Sequence, residues 1–390
     1  MRRFVVVILL CLIEGSVFAQ WDKNLTYSLY GGYGYVFRTN DFMRGDNVDN
    51  KDITSIKNFA IEVSKDVDGS KDWHQLYKNF HYGVGLFHGV FNYSKNIGNP
   101  WGLYGIIGFT PIDKVKWQMK TDIALGFSGI WDGFSQEDNP YNVAVSTPIE
   151  CYAQARLSFH YNITDNWHLG LSGAFTHFSN GCIKRPNKGI NIFNPTITLA
   201  YNPKNITRTR IPDFEPKFEK NFQRIVSFYA GVKGMYWDGY CSEGDRVDLS
   251  RDTIRNVYSV FGLQYREMFA LTMSQGLGWG MDLSYNDVIK RNKGWHHFQP
   301  KYDQGFDLTR FTFSIFASYE YSINRLSITM EPGIYIYKPQ FTYFSRLYQR
   351  IGLRYNVFDN MFVQMSLRAY HFTKADYIEW GVGYRFKYKM

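Results

Sequence analysis

Residues 176 to 191 read Thr-His-Phe-Ser-Asn-Gly-Cys-Ile-Lys-Arg-Pro-Asn-Lys-Gly-Ile-Asn, with a histidine and a serine two positions apart. A serine hydroxyl is a weak nucleophile at neutral pH and needs a base within hydrogen-bond reach. On one face of a β-strand, residues i and i+2 lie about 6–7 Å apart along the backbone, near enough for their side chains to meet. His177 is thus the expected base, taking the proton of Ser179 and returning it to a leaving alcohol. Asn191, across the expected hairpin, would hold the imidazole in the required tautomer. Asn180 and the backbone N–H of Gly181 stand next in line as donors to the developing oxyanion. Ester hydrolysis by this set requires no metal and no organic cofactor. The bland reading of the same residues is an interfacial girdle histidine followed by a Ser-Asn-Gly turn.

Strand parity places the three side chains. Trp167, Leu169, Leu171 and Phe175 alternate as the apolar face of one strand, and His177 and Ser179 continue that face. On the next strand Ile197, Leu199 and Tyr201 mark the apolar face, whose parity includes Asn191. Polar groups among lipid-facing positions are costly unless they bond to one another, and a lipid substrate is a reason to keep them there. By the same reasoning His168 points inward, His296 and His297 fall in a long loop, and His371 is followed by Thr373-Lys374-Ala375-Asp376 instead of Ser-Asn-Gly.

Alternation of apolar and polar residues runs through the whole chain, as in Phe311 to Tyr321 and Arg325 to Glu331. The alternating runs often reach the ten or so residues that a tilted strand needs to cross a bilayer. Mean hydropathy is only −0.34. That value does not exclude a membrane wall, because only every second residue of a transmembrane barrel meets lipid. Aromatic residues make up 18% of the chain, with 34 glycines and 12 prolines, a mixture suited to short-turned strands with aromatic ends.

The first residues resemble an export signal: Arg2 and Arg3, an apolar run from Phe4 to Ile13, then Val17 and Ala19 before Gln20. Residues 1–19 are accordingly assigned to a signal peptide, and an exported chain of this kind belongs in the outer membrane of a Gram-negative bacterium. Export leaves Cys151, Cys182 and Cys241, an odd number that permits at most one internal pair. Cys151 and Cys182 fall near one predicted rim, so a bridge between them and two thiols are both open. The net charge of +9 suits anionic partners, and for an exported barrel these are anionic lipid and phosphorylated glycolipid, not nucleic acid.

The alternation predicts about eight strands before residue 205 and eight after 220. Tyr161 to Trp167 resembles Tyr355 to Met361, and Thr176-His177-Phe178-Ser179 resembles Tyr370-His371-Phe372-Thr373, both at an offset of 194. An internal duplication follows. The expected organisation is a first barrel copy over 20–204 carrying the site, a periplasmic connector over 205–221, and a degenerate second copy over 222–390. The fold class is all-β, a transmembrane antiparallel barrel. One barrel of about sixteen strands is the preferred closure and two eight-stranded barrels the alternative, because both satisfy every backbone group.

His177 to Gly181, continuing through Ile183-Lys184-Arg185-Pro186-Asn187-Lys188-Gly189, resembles the signature of the lipid A 3-O-deacylase family, also called acyloxyacyl hydrolases. The resemblance implies an eight-stranded outer-membrane barrel, with His177 as base, Ser179 as nucleophile and Asn180 and Gly181 as oxyanion donors. It also implies lipid A of lipopolysaccharide in the outer leaflet as partner, its phosphates held by Lys184, Arg185 and Lys188, which otherwise read as solvated loop charges. The family's best-known members carry Glu where this chain has Asn191. Outer-membrane phospholipase A has a similar His-x-Ser-Asn-Gly with Asn as third member, so the alternative is a phospholipase A-like hydrolase, with a calcium-dependent homodimer expected by analogy. A catalytically inactive channel or structural barrel is the alternative from another class.

Overall fold

Sixteen alternating stretches become sixteen strands in the computed structural model, which describes residues 24–203, 218, 220–234, 257–287, 310–338, 345–372 and 374–389. The first eight are β1 (Leu25–Val36), β2 (Ser55–Asp66), β3 (Phe80–Phe91), β4 (Gly98–Asp113), β5 (Trp117–Trp131), β6 (Ile149–Asn162), β7 (Trp167–Ser179) and β8 (Ile190–Tyr201). The second eight are β9 (Asn221–Gly234), β10 (Val257–Ala270), β11 (Gln275–Asn286), β12 (Phe311–Ile323), β13 (Leu326–Tyr337), β14 (Leu347–Asn356), β15 (Met361–Tyr370) and β16 (Lys374–Lys389). One short helix, α1 (Asp72–Leu76), lies between β2 and β3. No helix among the described residues is long and apolar enough to cross a membrane.

Each set closes on itself. β8 pairs back onto β1, with Leu29 opposite Leu199, and β16 pairs back onto β9, with Val382 opposite Phe228. The duplicated unit is therefore two eight-stranded antiparallel barrels, and the single sixteen-stranded closure preferred from sequence is corrected to its alternative. Alternation is identical in both solutions; only the pairing of the first and last strand of each set distinguishes them. The expected export signal, and the connector as far as residue 217, lie outside the described residues.

In the first barrel the outward positions are apolar, among them Leu29, Phe59, Ile61, Leu103, Ile123, Phe127, Leu171 and Ile197. One end carries the short connections, including 114–116 and 163–166. There Thr164 Oγ1 accepts the N–H groups of Asn166 and Trp167, which fixes the turn between β6 and β7. Aromatic pairs Trp117–Tyr161 and Trp167–Tyr201, with centroids 4.9 and 4.6 Å apart, ring the wall at this end. The other end carries the loops 37–54, 92–97, 132–148 and 180–189, and β7 delivers His177 and Ser179 to it.

The interior divides in two. Beneath the longer loops an apolar cluster holds Phe87, Phe91, Trp131, Tyr152, Phe178 and Ile192. Deeper, the Arg156 guanidinium donates to both carboxylate oxygens of Glu62, at 2.7 and 2.8 Å, and to Asp122 at 2.9 Å. His81 Nε2 meets the other oxygen of Asp122 at 2.6 Å, and Tyr104 donates to Glu62 at 2.9 Å. Charges removed from water persist only when paired and hydrogen-bonded in this manner.

The second barrel is filled more completely by charge. Arg350 meets Glu331 at 2.8 Å and Glu379 at 2.9 Å and also bonds Asp282; Arg368 meets Asp282 at 2.6 Å and Glu379 at 2.8 Å. Arg266 joins Glu331 at 2.7 Å, while Arg354 and Arg385 share Glu320 at 2.5 and 2.7 Å. These side chains are buried, and their cross-links fill the lumen between the strands.

Candidate active site

β7 alternates as expected: Leu169, Leu171 and Phe175 are exposed on the outer wall, while Ala174, Thr176 and Phe178 are buried inside. His177 and Ser179 share the outward parity. His177 is half-buried and Ser179 is 9% exposed, so neither projects freely as the apolar residues of that face do. Inside the wall, Thr176 Oγ1 accepts from Gln154 at 3.0 Å and from Asn194 at 3.1 Å, tying β6, β7 and β8 together behind the histidine.

The β7–β8 ladder puts His177 directly opposite Asn191. Their side chains meet at 2.7 Å, Nδ1 to Oδ1. An amide oxygen can only accept, so Nδ1 carries the hydrogen and Nε2 is left as the basic nitrogen. That is the tautomer a general base for Ser179 needs. Asn191 thus meets the ring through an uncharged oxygen, which adds no formal charge beside it.

On the other side β6 pairs with β7 so that Ala153 lies opposite His177 and Cys151 opposite Ser179. Cys151 beside the serine is a neighbour that sequence reasoning missed; the signal was the strand register, which alternation alone does not supply. No disulfide joins Cys151 to Cys182, which settles the cysteine question for that pair in favour of thiols. Cys241 lies outside the described residues.

Asn180 and Gly181 follow Ser179 and are buried. Gly181 has φ +63°, a left-handed conformation that suits glycine at the end of the strand. Asn180 donates from Nδ2 to Lys184 O at 3.0 Å, and its backbone N–H donates to Asn187 Oδ1 at 3.3 Å, so the segment folds onto itself. Lys184 and Arg185 are half-buried and Lys188 is exposed. The remaining histidines are elsewhere. His168 bonds Asn162 Oδ1 at 2.7 Å near the short turns, and His371, exposed at φ +51°, has left strand β15 for a turn; His296 and His297 lie outside the described residues.

Comparison with known families decides the assignment. A profile of the lipid A 3-O-deacylase (PagL) family matches residues 57–201, and one of the acyloxyacyl hydrolase C-terminal domain matches residues 222–388. The chain belongs to the lipid A 3-O-deacylase family. It is therefore a hydrolase; the first match runs from within β2 to the end of β8, and the second spans β9 to β16. No curated protein matches the chain. Among solved structures, mutants of the porin from Rhodopseudomonas blastica cover 93% of this chain and 99% of their own, one at 8% identity with a TM-score of 0.16 and another at 7% with 0.17. Likeness at that level carries no argument about fold or transport.

Proposed function

We propose that this deacylase is an outer-membrane serine esterase that removes an ester-linked acyl chain from lipid A. The observation that carries the reading is the 2.7 Å bond from His177 Nδ1 to Asn191 Oδ1 on the apolar outer wall of the first barrel, with Ser179 two residues along the same face. Nε2 takes the hydroxyl proton as Ser179 Oγ attacks the ester carbonyl, then gives it to the departing alcohol. Asn180 and Gly181 supply donors to the tetrahedral oxyanion. A water molecule then releases the acyl group from Ser179 by the reverse proton path. Lys184, Arg185 and Lys188 hold the phosphates of the glycolipid. The apolar wall that presents the site lies in the outer leaflet, where such esters are found, and the signal read at residues 1–19 directs the chain there.

The test is lipid A mass spectrometry on cells expressing the protein or its Ser179→Ala variant. The wild type should lower the lipid A mass by one acyl chain, and the variant should leave it intact. Lysophospholipid appearing instead, with lipid A unchanged, would transfer the site to a phospholipase A-like activity and revive the expectation of a homodimer. Unchanged lipids of both classes would remove the hydrolytic reading.

A further inference from the structure

Gly189 lies against the imidazole of His177. A Cβ at this position would stand 2.9 Å from His177 Cε1 and 3.1 Å from Phe178 O, so the glycine backbone forms a shelf with no room for a side chain. Its φ of +72° adds a second demand for glycine.

The shelf is held by the neighbouring loop at the barrel mouth, the one that joins β5 to β6. Gly189 N–H donates to Ala144 O at 2.9 Å and Lys188 N–H to Val143 O at 3.0 Å, a short ladder between the 132–148 loop and the residues leading into β8. Fully buried Asn142 braces that loop: its Oδ1 accepts the N–H groups of Ala144 and Val145, each at 3.1 Å, and its Nδ2 donates to Asp132 O at 2.7 Å and Asn96 O at 3.3 Å. Asn139 Nδ2 repeats the last two bonds at 3.0 and 2.9 Å. From the third loop Asn40 Nδ2 reaches Gly189 O at 3.5 Å.

We infer that Gly189, supported through Asn142, is a positioning residue for His177. Asn191 fixes one edge of the imidazole by hydrogen bond, and the Gly189 backbone blocks the ring from swinging off that bond, so Nε2 keeps its aim at Ser179. The inference rests on the esterase reading for its kinetic consequence, but not for its structural one. A displacement on the order of 1 Å in such a group lowers turnover by about a hundredfold.

Two substitutions separate the shelf from the backbone conformation. Asparagine tolerates the left-handed region far better than alanine, yet both carry a Cβ. In Gly189→Ala and in Gly189→Asn, kcat on lipid A should fall alike by about a hundredfold with KM unchanged. In parallel, 15N NMR of histidine-labelled protein, with the His177 signal identified by its loss in His177→Gln, should show the Nδ1–H tautomer in the wild type and a mixture in both variants. Recovery of kcat in Gly189→Asn, or a preserved tautomer in both variants, would overturn the inference and leave glycine needed only for its φ. Should the Gly189 variants fail to fold, Asn142→Ala takes their place: a lowered kcat with a mixed tautomer supports the inference, and wild-type values refute it. A wild type that shows the Nδ1–H tautomer but cleaves no ester would defeat the esterase reading alone.

Discussion

Replacing Asn191 by leucine keeps the side-chain volume and removes the oxygen that His177 Nδ1 meets at 2.7 Å. A hydrogen bond between neutral partners contributes about 0.5–1.5 kcal/mol, and one to a charged group about 1.5–3 kcal/mol. The imidazole is neutral before proton transfer and cationic in the transition state, so the bond tightens by about 1–2 kcal/mol as the reaction proceeds. Only that difference slows the chemical step, by roughly five- to thirtyfold. Loss of the enforced tautomer adds to it, because part of the population then carries its hydrogen on Nε2. We expect kcat for release of fatty acid from lipid A in detergent-solubilised Asn191→Leu to fall at least about tenfold, with KM unchanged since Asn191 faces the ring. Asn191→Asp restores the acceptor with a full charge and should match or exceed the wild-type kcat. A leucine variant whose kcat stays within about twofold of wild type would refute the assignment of Asn191 as orienting residue, since that ratio is below the smallest effect derived above.

Two further outcomes follow. With Arg350, Arg368, Asp282, Glu331 and Glu379 cross-linked inside the second barrel and Arg156, Glu62 and Asp122 inside the first, protein in planar bilayers should give no steady conductance, and an ohmic current would show the lumens open. In the loop after β2, burial alone would raise the Asp68 carboxyl, but the hydroxyl and N–H of Ser70 and the imidazole of His74 together lower it to about 2. A depressed carboxylate contributes stability that is present above its ordinary range and lost as pH falls through the folded value. The 67–79 segment should thus resist pepsin at about pH 3 and become cleavable near pH 2, and cleavage already complete at pH 4 would count against the Ser70 and His74 contacts.

Much of this was legible in the residues themselves. Each of the sixteen strands lies over an alternating run, and turns at Thr164-Asp165, Asn324 and Asp359-Asn360 were marked by residues that bend the chain without penalty. The pairing of His177 with Asn191 was also readable, because a hairpin between two strands of known parity leaves few registers. Closure was not, since a strand's sequence does not say which edge it meets. Arg156 gave no sign of its partners either: Glu62 and Asp122 come from β2 and β5, distant in sequence, and only the barrel's curvature brings them to one point. The support under His177 was hidden for another reason. Asn142, Asn139 and Gly189 sit in loops without periodicity, where an asparagine bonding four backbone groups looks like any polar loop residue.

Because β8 returns to β1 and β16 to β9, neither half borrows a hydrogen-bonded edge from the other. Mutations that erode chemistry in one half leave the ladder of its sibling whole. Where the first barrel keeps His177 and Ser179 within strand β7, the second turns at His371, just past the end of β15, and neither difference disturbs the closure of the other ladder.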